Sequence, residues 1–458
     1  MILTPELIQR ADAAGRTVTD DAETLGYSDL AARVAETVEK LDAQPWAAPG
    51  YTVALPLTND IAGICALLAL FERSVSVALL PADDDGTTPA FCSARLDTST
   101  MTGSDVNLEA RTTDKALVYL RTSGSTGEPK WVVITHDALI LNADGVRDRM
   151  SLSTEDCVLI PVPVYHMYGL GAALLPSLLG GSSMRVSAKG DPLSIFGAER
   201  AANPTMADMI PSQCRAIQPL RRTARLYRGI VVATGRLSPD FAEKFEEMNG
   251  PVAGLYGSSE MGAIAAADPA SDADRRRRDI GPPLNNVELF IEDGESEDGG
   301  PVTGPIFVKH GAGYLGYADA TGEIQTPAPE RHPTNDLGYI SPEGDLSVIG
   351  RADNRIKRDG LWVVLGDIEA SLADAPGVGE VTVVTAGTTR RGMGVVVYYV
   401  AARGADIGEE DLMRHCRDTL PGHAVPDRIV QIDAFQRLAS GKTDLRSYKD
   451  KATELLAG

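Results

Sequence analysis

"YLRTSGSTGEPKWVV", residues 119–133, places two β-prone runs around a loop of Thr122, Ser123, Gly124, Ser125, Thr126 and Gly127, closed by Pro129 and Lys130. Between strands, such a loop turns backbone N–H groups and hydroxyls inward and makes a concave anion site with little side-chain bulk. Lys130 adds positive charge to it. The common nucleotide P-loop pattern, G-x-x-x-x-G-K-[ST], does not lie on Gly124, Gly127 and Lys130, and this loop precedes a strand rather than opening a helix. Taken alone, most loops of this composition are polar hairpins, so the surrounding chain has to decide.

Outward from the loop, strand-like and helix-like runs alternate. "YTVALPLTND" (51–60) reads as a strand, "IAGICALLALFERS" (61–74) as a helix and "VSVALLPADDD" (75–85) as a second strand ending in an acidic turn. "DALILNADGVRDRM" (137–150) follows the loop hairpin as a helix, and "CVLIPVPV", "GIVVATG" and "VAGLYG" are later strands ending near Gly, Ser or Thr. Near the N-terminus, "LGYSDLAARVAETVEKLDAQ" (25–44) has helical periodicity, with Ser28 placed as its N-cap. The clustered Asp, Thr and Ser of 83–114 predict a surface connection.

Alternation of this kind predicts an α/β fold with parallel pairing and ligands at strand C-termini. From about residue 286 the texture changes to short β-rich pieces, "VELFIED", "PIFVKHG" and "GYISPEGDLSVIG", which predict a small β subdomain. Beyond Gly350 comes a further α/β module. The expected organisation is a large N-terminal domain of layered α/β subdomains over 1–350 and a small, mobile C-terminal α/β lid over 351–458, divided near "GRADNRIKRDG".

Sixty-four acidic residues against 43 basic ones give a formal charge of −21, which argues against a general nucleic-acid binder or docking on anionic lipid. Any anionic ligand must meet positive groups assembled locally. Five scattered cysteines, never in metal-site spacing, fit a reduced compartment. The N-terminus lacks a basic region followed by an apolar core, and no long uncharged apolar run occurs, so a cytoplasmic protein without membrane insertion is expected.

"TSGSTGEPK" resembles the phosphate-binding signature of the adenylate-forming superfamily: acyl- and aryl-CoA synthetases, adenylation domains of nonribosomal peptide synthetases, and luciferases. The resemblance continues in order through "LGYSDLAARV", "PVPVYHMYGL" (161–170), "GLYGSSEMG" (254–262), "TNDLGYI" (334–340), "GRADNRIKRDGLWVVLGDIEASL" (350–372) and "LASGKTDL" (438–445). The motif character is closest to a stand-alone acyl- or aryl-CoA ligase. It implies ATP and Mg²⁺ as cofactors, acyl-AMP formation with loss of pyrophosphate, and transfer of the acyl group to coenzyme A. A carrier protein's phosphopantetheine or an amine are the alternative acceptors, and a catalytically silent nucleotide-binding homologue is the rival reading. With only sixteen residues after Lys442, no fused carrier domain is expected.

The resemblance assigns roles residue by residue. Thr122 to Gly127, with Thr126 central, and Lys130 hold phosphates; Tyr256 packs on adenine beside Gly257 and Ser259; Glu260 helps bind Mg²⁺, which takes few carboxylates plus phosphate oxygens. Asp336 binds the ribose hydroxyls, Arg351 lies beside the nucleotide, and Lys442 reaches both α-phosphate and substrate carboxylate. Asp353 is the hinge, and Gly360 lines the pantetheine tunnel. Ser259 stands where threonine is common, and Asn335 replaces the glycine usual before Asp336.

His166, in "PVYHMYG", borders the carboxylate pocket in acyl- and aryl-CoA ligases. The pocket would be made by Gly169, Ala172 and Ala173, then Ala233, Thr234 and Gly235, then Gly254, Leu255, Ser258, Met261, Gly262 and Ala263. Small residues with no fixed charge suit an apolar or aromatic acid. No aspartate occurs in "VYHMYGLG", which argues against α-amino acids, though a shifted carboxylate could fill that role. "DRRRRD" (274–279) reads as a solvated loop run rather than a partner site. Monomer and homodimer both remain open, and secondary metabolism is the expected setting.

Overall fold

The computed structural model describes residues 2–110, 115–122, 130–292, 294, 296, 301–351, 355–359, 361–402, 404–436 and 443–457. Its framework is set by strands too apolar to face water on either side. Thr52–Pro56 and Ser76–Leu80 pair in parallel and are buried almost throughout, as strands covered on both faces must be. Leu117–Thr122 joins Ser76–Leu80 in parallel, and Lys130–Thr135 and Gly316–Ala318 continue the sheet antiparallel. The helix Ile61–Glu72 is buried on nearly every side, which explains its uniformly apolar sequence.

A second eight-stranded sheet runs from the antiparallel pair Gly262–Ala266 and Val252–Ser258 through Gly229–Val232, Met206–Met209, Cys157–Ile160 and Ser183–Val186 to Thr17–Thr19 and Thr24–Gly26. Its interior pairings are parallel. Asn59 links the two large sheets: its amide donates to the Val162 carbonyl at 2.8 Å and its Oδ1 accepts from Val164 N–H at 3.0 Å. Asp20 adds a second link by accepting from the N–H groups of Ala22, Glu23 and Ile61, bonds that outweigh burial and hold its carboxyl below the usual range.

An antiparallel four-stranded sheet, Val287–Ile291, Gly304–His310, His332–Ile340 and Leu346–Arg351, is the expected β subdomain. The C-terminal domain has its own sheet, from Arg355–Arg358, Leu361–Val364, Val378–Thr389, Gly392–Ala401 and Arg428–Gln431, and its own core around Ile368, Leu372, Val395, Val397 and Tyr399. Arg358 is fully buried in it, paired with Asp427 at 2.6 Å. Among the described residues no helix is long and apolar enough to cross a membrane.

Three expectations change. The 83–114 stretch supplies two edge strands, Ala94–Asp97 and Thr102–Ser104, because Phe91, Cys92 and Leu96 are buried between its polar residues. Ser28 lies inside the helix Tyr27–Asp42, whose first N–H groups, at Tyr27 and Ser28, are satisfied by Asp12 of the preceding helix. The arginine run is a short helix, Ala273–Arg278, capped by Asp272.

Candidate active site

The strands Leu117–Thr122 and Lys130–Thr135 form a hairpin in which Thr122 faces Lys130, its hydroxyl donating to the Lys130 carbonyl at 3.2 Å. Ser123, Gly124, Ser125, Thr126 and Gly127 lie outside the described residues. At the mouth of the hairpin the exposed Lys130 ammonium stands 5.6 Å from the ring centroid of Tyr317. The Tyr317 hydroxyl donates to Glu260 Oε1 at 2.8 Å. Burial, then the Glu260 charge, pushes the Tyr317 phenol far above its ordinary value, so it stays a donor.

Tyr314 holds Glu260 from the other side, its N–H donating to the Glu260 carbonyl at 2.8 Å, while its ring meets Tyr317 and His332 edge-on. Glu260 is half-buried, with Oε1 engaged by Tyr317. A single oriented carboxylate fits an ion that keeps waters and phosphate oxygens as its other ligands. Among the described residues no group of three or more His, Cys, Asp or Glu is arranged to hold a metal alone.

Tyr256 and Asp336, eighty positions apart, meet through a hydrogen bond of 2.5 Å from the Tyr256 hydroxyl to Asp336 Oδ2. Asp336 is paired across the sheet with Arg351, whose charge also acts on the Tyr256 hydroxyl. Asn335 has φ +61, the left-handed conformation that explains why glycine is usual there and why asparagine, which tolerates this region, can replace it. Gly257 has no room for a side chain, because an added Cβ would collide with the Gly262 carbonyl across the bulged pair Val252–Ser258 and Gly262–Ala266.

Tyr256, Gly257, Leu255, Thr234, Gly235, Asp336 and Arg351 line one cleft of about 1300 Å³. The helix Leu365–Ala373 of the C-terminal domain also lines it, with Asp367, Glu369 and the capping Asp374. Arg215 Nε bridges the two sides to Asp374 Oδ1 at 2.7 Å. Burial raises the carboxyl of the half-buried Glu369 above the ordinary range.

The remaining pocket residues are distributed differently. His166 is exposed, its ring 4.3 Å from that of Tyr165, in the turn before the π-helical segment Tyr168–Leu174. Gly169 is small for a packing reason: an added Cβ would strike the Pro163 carbonyl. Ala233, Met261 and Gly262 are buried; Met261 accepts through its carbonyl from His310, and the Ser258 hydroxyl accepts from the Met261 N–H at 3.1 Å. Gly254 faces Ile280. Thr234 has φ +67, a strained conformation for a β-branched residue, on the cleft wall. Lys442, Asp353 and Gly360 lie outside the described residues.

Every arginine of 275–278 has an acidic partner: Asp345, Glu246, Glu243 with Glu246, and Asp279 in turn. His136 stacks on Phe71 and burial lowers it to about 4, so it is a neutral core residue. Tyr314 and Tyr317, in "GYLGYADATG", carry no motif or periodicity that marks them, and only the fold brings them to Glu260.

The profile of the AMP-binding enzyme family matches residues 83–318, more than half of the chain, and that of the AMP-binding enzyme C-terminal domain matches 367–442. The chain belongs to the AMP-binding enzyme family. The loop, Tyr256, Glu260 and Tyr317 all fall within the first match, and the second ends on Lys442. Among curated AMP-binding relatives, indoleacetate–CoA ligase of Aromatoleum aromaticum is 28% identical over 348 residues, 74% of this chain and 67% of that one. Tyrocidine synthase 3 of Brevibacillus parabrevis is 27% identical over 362 residues, 76% of this chain but 6% of its own length. The match thus spans about two thirds of the first relative and a small part of the second. The crystal structure of ATP-bound MatB from Rhodopseudomonas palustris superposes with a TM-score of 0.79 at 21% identity, covering 99% of each chain, which establishes the fold from end to end.

Proposed function

We propose that this AMP-binding enzyme is an ATP- and Mg²⁺-dependent acid–thiol ligase that activates an aryl or apolar acyl carboxylic acid as its acyl-AMP and passes it to coenzyme A. The observation that carries the reading is the Tyr256–Asp336 hydrogen bond, with Arg351 paired to Asp336, on the wall of a cleft large enough for a nucleotide. Asp336 offers acceptors to ribose hydroxyls, the Tyr256 ring offers a face to adenine, and Arg351 offsets negative charge nearby.

In the first half-reaction the substrate carboxylate attacks the α-phosphorus of ATP and pyrophosphate leaves. Two anions approach each other, so fixed positive groups aimed at the phosphates supply most of what the step needs. Lys130 stands at the loop mouth for that purpose, and Lys442 is assigned to the α-phosphate and carboxylate. Glu260, oriented by Tyr317, would hold Mg²⁺, which neutralises phosphate charge when bound. In the second half-reaction a thiolate attacks the mixed-anhydride carbonyl and AMP departs, with Gly360 keeping the thiol's approach open.

The testing experiment follows pyrophosphate release over aryl, short-chain and medium-chain acids, with and without coenzyme A, with products identified by mass spectrometry. Acyl-CoA from one acid class is the expected result. Adenylate without thioester would move the acceptor to a carrier phosphopantetheine or an amine. ATP binding without pyrophosphate release from any acid would refute the reading in favour of a silent nucleotide-binding homologue.

A further inference from the structure

The strand Met206–Met209 lies inside the second large sheet, parallel to Cys157–Ile160 on one side and Gly229–Val232 on the other. Side chains alternate along it. Ala207 and Met209 enter the smaller apolar cluster with Ile195 and Ile217, while Met206 joins the main core together with Val231 and Ala233. Asp208, in register with Val231, therefore faces the main core. Tyr168, first residue of the π-helical segment Tyr168–Leu174, covers the same place, its hydroxyl 2.9 Å from the Val231 carbonyl and 3.1 Å from that of Met209. Two residues beyond Val232, the chain becomes the cleft wall at Thr234 and Gly235. Asp208 thus sits at the floor of the layer between sheet and π-helical segment, behind the cleft, where the acyl pocket is expected.

Elsewhere the chain partners its buried carboxylates. Asp156 accepts from Ser153 N–H, Thr205 and Arg228, Asp345 from Arg275, and Asp279 from Ser347 and Arg278. Asp208 breaks that pattern: it is 4% exposed, and its Oδ1 is shut from solvent with no hydrogen-bond partner among the described residues. Burial raises its carboxyl well above the ordinary range, with no cation among the described residues acting against it. A carboxyl kept in this condition in the middle of an apolar sheet is a poor structural element and a good receptor for a donor that arrives with a ligand.

We infer that Asp208 receives the end of the acid farthest from its reacting carboxylate, and that this end carries a basic nitrogen, an amine or ammonium. The inference rests on the adenylation reading and narrows its substrate class from an apolar acid to one with an apolar body and a donating nitrogen at its tip. Tyr168, Val231 and Ala233 accommodate the body, and Asp208 accepts from the nitrogen. A methyl-tipped analogue of the same size leaves Asp208 unpartnered, which is how a polar site rejects an isostere.

The test measures pyrophosphate release, as kcat/KM, for isosteric pairs in a length series: aminohexanoate against heptanoate and para-aminomethylbenzoate against para-ethylbenzoate, with shorter and longer homologues. The full chain and its Asp208→Leu and Asp208→Asn variants are compared. The expected result is a preference of at least about tenfold for the amine member in the native chain, reversed in Asp208→Leu, with the ATP half-saturation unchanged and thermal stability not reduced. Asp208→Asn, closest in shape, is expected to lose the preference as well and serves where the leucine variant fails to fold. A native chain that turns over methyl-tipped acids at least as well as amines overturns the inference and leaves adenylation standing. Variants that keep the native ranking also overturn it. No pyrophosphate from any acid refutes the adenylation reading and this inference with it.

Discussion

The Tyr256 hydroxyl and the Asp336 carboxylate share a hydrogen bond of 2.5 Å between the second large sheet and the β subdomain. The bond fixes the orientation of the one acidic group assigned to the ribose. A hydrogen bond to a charged group contributes about 1.5–3 kcal/mol, so Tyr256→Phe is expected to raise the ATP half-saturation about tenfold or more, with a smaller effect on kcat at saturation. Equal ATP affinities in native and variant proteins would remove this role from Tyr256.

The same phenol makes a pH prediction. Burial first, then the Asp336 charge and bond, holds Tyr256 far above its ordinary value. A folded-state value raised above the unfolded one contributes stability fully present below about pH 10, lost as pH rises beyond it because the unfolded chain ionises first. Alkaline melting curves should fall more steeply for the native chain than for Tyr256→Phe, and superimposable slopes would contradict this account.

Glu260 and Tyr317 are separable. Glu260→Gln removes the charge assigned to Mg²⁺ and is expected to raise the magnesium half-saturation at least about tenfold. Tyr317→Phe removes only the 2.8 Å bond that orients the carboxylate and should produce a smaller shift in the same direction. Magnesium titrations of pyrophosphate release read both, and an unchanged requirement in Glu260→Gln would count against the assignment.

Two substitutions should split the half-reactions. Lys442→Ala is expected to lower acyl-AMP formation at least ~10²-fold without lowering the melting temperature, while Gly360→Leu should leave adenylation intact and slow thioester formation. Equal loss of both steps in either variant would show that the two positions do not divide the work as assigned.

Thr234 stores strain on the cleft wall at φ +67. Thr234→Gly removes the clash of a β-branched side chain in this region, and a gain of about 1 kcal/mol in stability is expected, at the lower end of what such conformations cost. Chemical denaturation measures it; a loss of stability would mean that the threonine side chain holds the turn.

How much of this can be read from the chain alone depends on the scale at which each feature is encoded. The alternation of apolar strands and helices and the ordered motifs carry the α/β architecture, and Tyr256, Asp336 and Arg351 stand out in their motifs one by one. Their bond is not legible, because nothing local connects positions eighty residues apart. The edge strands within 83–114 are hidden by composition: a few apolar residues, Phe91, Cys92, Ala94, Leu96 and Met101, face inward among polar neighbours. Ser28 matches a capping pattern, yet the N-cap is Gly26, two residues earlier, and the carboxylate that meets the first N–H groups comes from Asp12, a tertiary choice. The arginine run reads as solvated charge, but its ion pairs with Asp345 and Glu246 come from distant segments. Tyr317 and Asp208 are silent in the sequence for the same reason, since a residue's partner, or its lack of one, is decided by the fold.

The strand Thr17–Thr19 lies parallel to Ser183–Val186 and brings Thr24–Gly26 with it to the edge of the second large sheet. During synthesis these first strands leave the ribosome long before their neighbour exists. The strand that would receive them appears only after roughly 160 further residues, a lag set by the sequence separation of the two partners. The first large sheet, whose parallel strands all lie between residues 52 and 122, can assemble in that interval. The N-terminus therefore waits for its seat in the second sheet while the first is already built. A nascent chain held short of residue 186 would carry it as an unpaired β-ribbon, exposed to any other edge it meets.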